Sequence, residues 1–160
     1  MPINHELVQR KISLILQDLK RVQELAKLDL SQYLADFRNE ILAERFLERI
    51  IGRVIDINFH IVAEQSLSTP TDYYSSFTQL VELKILDRDS ASRYAKLAGL
   101  RNRLAHEYNG IDETIIYKAL KDLVTDLPRY IEAVKDYISG SSPLSSDSPG
   151  STPEHPGKPS

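Results

Sequence analysis

The sequence predicts an all-α protein, an up-and-down bundle of about five helices with a kinked last member. Two observations carry that expectation. Apolar residues recur at steps of three and four along the long segments, and the breaks between those segments hold Asp and Ser caps, a proline and an Asn-Gly pair.

The first segment, residues 4 to 28, places Val8, Ile12, Ile15, Leu19, Val22 and Ala26 on one stripe, with Arg10, Lys11, Asp18, Lys20 and Glu24 largely elsewhere. It reads as an amphipathic helix. A break at Asp29-Leu30-Ser31, with Ser31 as a cap, leads into a second helix from about 32 to 65. Phe46, Ile50, Val54, Ile57 and Ile61 are flanked there by Leu47, Ile51, Ile55 and Val62, a stripe wide enough to be covered on two sides, so this helix is expected at the centre. In the connector SLSTPTD, Pro70 biases Thr69 away from helix and Asp72 caps a short third helix over about 73 to 86. Asp87 or Asp89 caps a fourth, which runs to Tyr108 and stops at Asn109-Gly110. After Asp112 a fifth carries Ile116, Leu120, Leu123, Leu127, Ile131, Val134 and Ile138 on one stripe, with Pro128 expected to kink it.

One domain over residues 1–139 is expected. Residues 140–160 are Ser, Pro and Gly with almost nothing apolar, so ordering them would cost backbone entropy without burial to offset it, and they read as a disordered tail. Cysteine is absent, which removes disulfides, thiolate metal sites and a thiol nucleophile. The start of the chain has no signal-peptide pattern and nowhere does an apolar run reach the roughly 18 residues of a membrane span, so a soluble cytoplasmic protein is expected. A formal charge of -3 argues against coating nucleic acid by charge alone. Any such site must be local, and Arg88, Arg93, Lys96, Arg101 and Arg103 concentrate cations on the fourth helix.

That helix carries the chemistry. Arg101 offers a permanent, planar fork of donors for phosphate oxygens, and His106, five positions on, can exchange a proton near neutrality. At about 100° per residue Arg101 and Tyr108 project together, while Asn102 and His106 form an i, i+4 pair turned roughly 100° to 140° away. Asn102 lies between the two and is expected in a supporting role. Ala91, Ala95, Ala98 and Ala105, with Gly99 at the edge, make a small-residue flank that leaves room for a second backbone, which suggests a homodimer bringing two copies of the motif to one cleft. Other candidates are weaker. His60 and Glu64 are one turn apart, yet nothing completes a ligand set, so His60 reads as a buried, hydrogen-bonding histidine and no metal site is expected. His5 reads as a surface residue and His155 as an uninvolved one in the tail. No phosphate-binding glycine loop is present, and no cofactor is implied.

Residues 94–108, YAKLAGLRNRLAHEY, closely resemble the AGLRN-x-x-x-H-x-Y signature of the HepT-like branch of the HEPN superfamily. The resemblance extends over roughly residues 4 to 138, through IDINFHIVAE in the second helix, where Asp56, Asn58 and His60 are similar to the family's polar interruptions. It implies an all-α, HEPN-like dimer acting as a metal-independent toxin ribonuclease, paired with a small nucleotidyltransferase antitoxin of the MntA type. For RNA it implies attack of the ribose 2′-hydroxyl on the adjacent phosphate, with His106 exchanging the proton and Arg101 stabilising the phosphoryl charge. It also implies that Tyr108 accepts AMP from the antitoxin, which silences the toxin. The alternative is a non-catalytic helical subunit of a nucleotidyltransferase complex, a nucleotide-binding module or the antitoxin itself.

Overall fold

The long apolar stripes fold as α-helices, and the computed structural model, which describes residues 3–65, 68–106 and 110–140, contains six helices and no strand among them. They are α1 (His5–Ala26), α2 (Leu30–Ala35), α3 (Phe37–Glu64), α4 (Tyr73–Glu82), α5 (Arg88–His106) and α6 (Glu113–Ile138). The expected tail, residues 140–160, lies outside the described residues apart from Gly140.

The sixth helix comes from a break within the segment read as one helix from 32 to 65. Asp29, rather than Ser31, caps α2: its carboxylate accepts from Gln32 N, and the Gln32 side chain accepts in return from Asp29 N. Asp36 then leaves the helical region, at φ -128° and ψ 111°, and caps α3 by accepting from Arg38 N. The Arg38 guanidinium closes on the same carboxylate at 2.7 Å and holds it below its ordinary pKa. An aspartate held by its own neighbours thus separates two helices that hydrophobic spacing alone would merge.

The expected third helix is shorter than its reading. Asp72 and Ser75 make a reciprocal cap, but α4 stops at Glu82, and Lys84 turns the chain at φ 61° so that Ile85 N reaches back to Leu80 O. Near the other end, α6 runs through Pro128, which leaves the Val124 carbonyl without its usual backbone donor.

The central position of α3 is as expected: it packs against α1, α2, α4, α5 and α6. Phe46, Ile50, Val54, Ile57 and Ile61 are all buried, as are Leu47, Ile51 and Val62 on their flanks. The fully buried isoleucines contribute about 1.5–3 kcal/mol each through burial. One polar network crosses this core. Tyr130 donates to Asn58 Oδ1 at 2.6 Å, Asn58 Nδ2 donates to Ser76 Oγ at 3.2 Å, and the Tyr130 ring stands edge-on to Tyr94. Asn58, a polar interruption in the sequence, therefore ties α3 to α4 and α6.

Asp18 departs from its expected place on the polar face of α1. It is 1% exposed and is surrounded by three arginines, with Arg53 Nη1 at 2.7 Å, Arg49 Nε at 3.0 Å and Arg21 Nη1 at 3.5 Å. Its steps from Ile15 and to Val22 are three and four, so it lies on the apolar stripe itself, and the arginines of α3 explain how a carboxylate is accommodated there.

Candidate functional site on the motif helix

Helix α5 begins at a well-held cap. Asp87 accepts from Ser90 N at 2.7 Å and from Ser90 Oγ at 2.9 Å, and these bonds hold its carboxyl below the ordinary range. Tyr94, Leu97 and Leu100 bury one side of the helix, and Tyr94 donates to the Asp126 carbonyl of α6. The described helix ends at His106. Glu107, Tyr108 and Asn109 lie outside the described residues, and Gly110 follows in the left-handed region at φ 63°, a conformation glycine adopts without strain.

Arg101 and Asn102 are brought together. Arg101 Nη1 donates to Asn102 Oδ1 at 3.1 Å, and the guanidinium lies over α3 at Gly52, where an added Cβ would be 3.9 Å from Arg101 Nη2. Arg101 Nε is buried and has no hydrogen-bond partner among the described residues. His106 is exposed on the last turn of α5, about 5–6 Å from Asn102 at the Cβ level, as the i, i+4 relation dictates. A half-buried cation and an exposed imidazole thus share one end of one helix, with Asn102 between them.

The small-residue flank is not the open surface expected of it. Ala91, Ala95 and Ala98 are buried inside the protomer, and a Cβ on Gly99 would meet Tyr73 Oη of α4 at 3.3 Å. Small side chains here allow α3 and α4 to approach α5 closely. Of that set only Ala105, beside His106, is exposed.

The basic residues of α5 also diverge. Arg93, Lys96 and Arg103 line an open groove of about 800 Å³ with Lys118 of α6, where Asp126 lies 3.5 Å from Arg93. Arg88 faces a smaller cleft with Tyr74 and Phe77, and Arg101 turns to α3.

Among the described residues no group of three metal-ligating side chains occurs. His60 is half-buried rather than buried, and its Nε2 accepts from Asn4 N at 3.1 Å, which fixes the proton on Nδ1 and uses the imidazole to hold the start of α1. Asp56 pairs with Lys11 at 3.1 Å, and His5 is exposed, as expected.

One titratable group was not anticipated from the sequence. Glu113, in the first turn of α6, accepts from the buried Tyr33 hydroxyl at 3.0 Å. Burial, then its hydrogen-bonded approach to Glu44, pushes its carboxyl up to about 7. Burial and the Glu113 bond in turn carry the Tyr33 phenol well above its ordinary range. Only the pairing of α2 and α3 with α6 creates this site, and no local spacing announces it.

Comparison with known proteins agrees with this architecture. A family model described as ribonuclease HepT-like matches residues 15–134. The chain is 29% identical over 132 residues to the tRNA nuclease HepT of Aphanizomenon flos-aquae, covering 82% of this chain and 90% of that protein. It is 28% identical over 131 residues to the mRNA nuclease HepT of Shewanella oneidensis, covering 82% and 98%. Among solved structures, the tri-AMPylated Shewanella oneidensis HEPN toxin in complex with its MNT antitoxin superposes with a TM-score of 0.75 at 27% identity, covering 82% of this chain and 98% of that one. Among the described residues no helix is long and apolar enough to cross a membrane.

Proposed function

Because the chain belongs to the HepT-like ribonuclease family, we propose that it is the toxin endoribonuclease of a toxin-antitoxin pair, cleaving RNA at Arg101 and His106. The observation that carries this reading is the state of Arg101. Its guanidinium is set between Gly52 and Asn102, and its buried Nε has no acceptor among the described residues, although an unsatisfied buried donor costs about 1–3 kcal/mol. Nε itself is sealed from solvent, so a phosphate would be taken at the outer Nη edge of the same half-buried fork, for which a phosphate oxygen is a fitting acceptor.

In the proposed reaction the ribose 2′-hydroxyl attacks the neighbouring phosphorus, the bond to the 5′-oxygen of the next nucleotide breaks, and a 2′,3′-cyclic phosphate and a free 5′-hydroxyl result. His106, exposed and able to reach substrate, exchanges the proton; Arg101 stabilises the charge that grows on the phosphoryl oxygens. Asn102 holds the Arg101 fork in place. Proton carrier and charge both come from side chains, so the reaction as proposed uses no metal, and DNA, lacking the 2′-hydroxyl, is spared.

Two copies would meet in a homodimer at the Ala105–His106 edge, the exposed end of the small-residue flank, giving a shared cleft with two cations. The partner is a minimal nucleotidyltransferase, and the solved toxin-antitoxin complexes of the relatives support that pairing. Its transfer of AMP to Tyr108 would set an anionic phosphate and a bulky nucleoside near Arg101, blocking RNA by charge and by volume. The domain is read as residues 1–139, with 140–160 dispensable to it, and the protein as cytoplasmic.

Purified His106→Ala tests the assignment directly: it should keep the helical content and melting temperature of the wild type and lose RNA cleavage. Equal cleavage by the two proteins would sink the role of His106, and wild-type cleavage abolished by EDTA would sink the metal-free mechanism.

A further inference from the structure

The buried Asp18 is surrounded by more positive charge than it needs. Arg53 donates the shortest hydrogen bond to it, at 2.7 Å, Arg21 donates a longer one at 3.5 Å, and Arg49 Nε stands at 3.0 Å, with the Arg49 and Arg21 side chains 39% and 63% exposed. Three guanidiniums on one carboxylate leave two positive charges in excess, directed to the surface. That surplus lies close to the site. Arg49 precedes Gly52 by three positions on α3, so the two positions are neighbours one turn apart on one face of the helix. Gly52 is where the Arg101 guanidinium rests. Having no side chain, Gly52 makes a saddle on the half-exposed ridge of α3, with Arg101 of α5 on one side and the Asp18 arginines toward α1 on the other.

We propose that Arg49, Arg53 and Arg21, gathered on Asp18, form a second phosphate subsite for single-stranded RNA, which takes the backbone next to the phosphate held at Arg101. The proposal rests on the reading of Arg101 as a phosphate ligand. Asp18 orders the arginines without neutralising them, and Arg49, bound through Nε, keeps its terminal fork for a phosphate. The acidic side chains nearby are already used, Asp56 by Lys11 and Glu48 by Arg45, so little negative charge opposes a strand crossing the ridge.

The test separates binding from cleavage by using a 2′-O-methyl oligoribonucleotide, which lacks the nucleophile, and following its anisotropy from low to high salt. Each phosphate contact to a single strand adds about 0.7 to the slope of log K against log salt. Arg49→Ala should therefore flatten the slope by about 0.7, and if its affinity matches that of the wild type when extrapolated to 1 M salt, binding at 0.1 M is weaker by about fivefold. Arg21→Ala should act in the same direction, and Arg49→Lys should restore the slope. Arg53→Ala is avoided, because it would strand a buried carboxylate. A wild type that binds with the same slope as Arg49→Ala and Arg21→Ala overturns the subsite and leaves the Arg101 reading intact. A wild type that neither binds nor cleaves RNA overturns both. Loss of binding to the nucleotidyltransferase in Arg49→Ala, with an unchanged RNA slope, would give these arginines to the protein partner instead.

Discussion

Replacing Glu113 with Gln should stabilise the protein at alkaline pH and leave it nearly unchanged in acid. Burial and Glu44 raise the Glu113 carboxyl from 4.5 to about 7, so the folded chain keeps a proton that the unfolded chain has already lost. Stability therefore falls as pH rises from about 4.5 to about 7 and is level above that. At about 1.4 kcal/mol per decade the ceiling on this loss is about 3.5 kcal/mol. Glu113 is only half-buried and sits at the positive end of α6, where a carboxylate is favoured, so solvent screening and the helix dipole reduce the figure to about 1–2 kcal/mol. A glutamine side chain cannot titrate in this range, and its amide oxygen can still accept from Tyr33. Urea unfolding of both proteins between pH 4.5 and 8.5 should show curves that coincide at the acid end and separate by about 1–2 kcal/mol at pH 8, with Glu113→Gln the more stable. Glu44→Gln should move the wild-type inflection down toward the ordinary carboxylate range. Parallel curves, or a Glu113→Gln protein less stable than wild type at pH 8, would refute the account.

Further outcomes follow from the packing and from the motif. Ala98→Leu inserts a larger side chain where α5 meets its neighbours at full burial, and should lower stability by about 1–3 kcal/mol in denaturant titrations; a neutral result would mean that this flank is open after all. Tyr130→Phe removes the donor to Asn58 Oδ1 and leaves a buried acceptor unmatched, which should cost about 1–3 kcal/mol by the same measurement. Tyr108→Phe should retain ribonuclease activity but escape the antitoxin: intact mass after incubation with the nucleotidyltransferase, ATP and Mg²⁺ should show AMP added to the wild type alone. AMP-sized additions to Tyr108→Phe, or a modified wild type that still cleaves RNA, would refute the switch.

Hydrophobic spacing made most of the helical architecture legible. The stripe of α3 names its buried apolar residues almost completely, because a period of three and four has one structural solution in a long segment, whereas that of α6 misses Ala119, Asp126 and Tyr130 and includes the only partly buried Ile138. What spacing could not show was a side chain acting against its own class. Asp36 breaks a helix that the apolar pattern would continue, and Asp18 is buried because two arginines from another helix reach it. The motif was legible as residue types, Arg101, Asn102 and His106 on one helix. Its surroundings were not: the alanines beside it read as an open flank for a second copy, because spacing cannot tell a surface of small residues from one filled by α3 and α4 of the same chain. Glu113 and Glu44 lie far apart in sequence and interact only through the packing of α3 with α6.

The seat of Arg101 on Gly52 has a consequence for the energetics of capture. A free arginine side chain carries about 2 kcal/mol of rotamer entropy, which a binding event must normally extinguish. Here folding has already done part of this, because the guanidinium lies over α3 at Gly52 with Nε buried and Nη1 bonded to Asn102. An arriving anion would meet a donor that is already aimed, and the affinity otherwise spent on ordering remains available for the transition state. A lysine at the same position would keep the charge and lose this advantage. Its single ammonium has no rigid fork with which to hold Asn102 and present a second edge to the ligand.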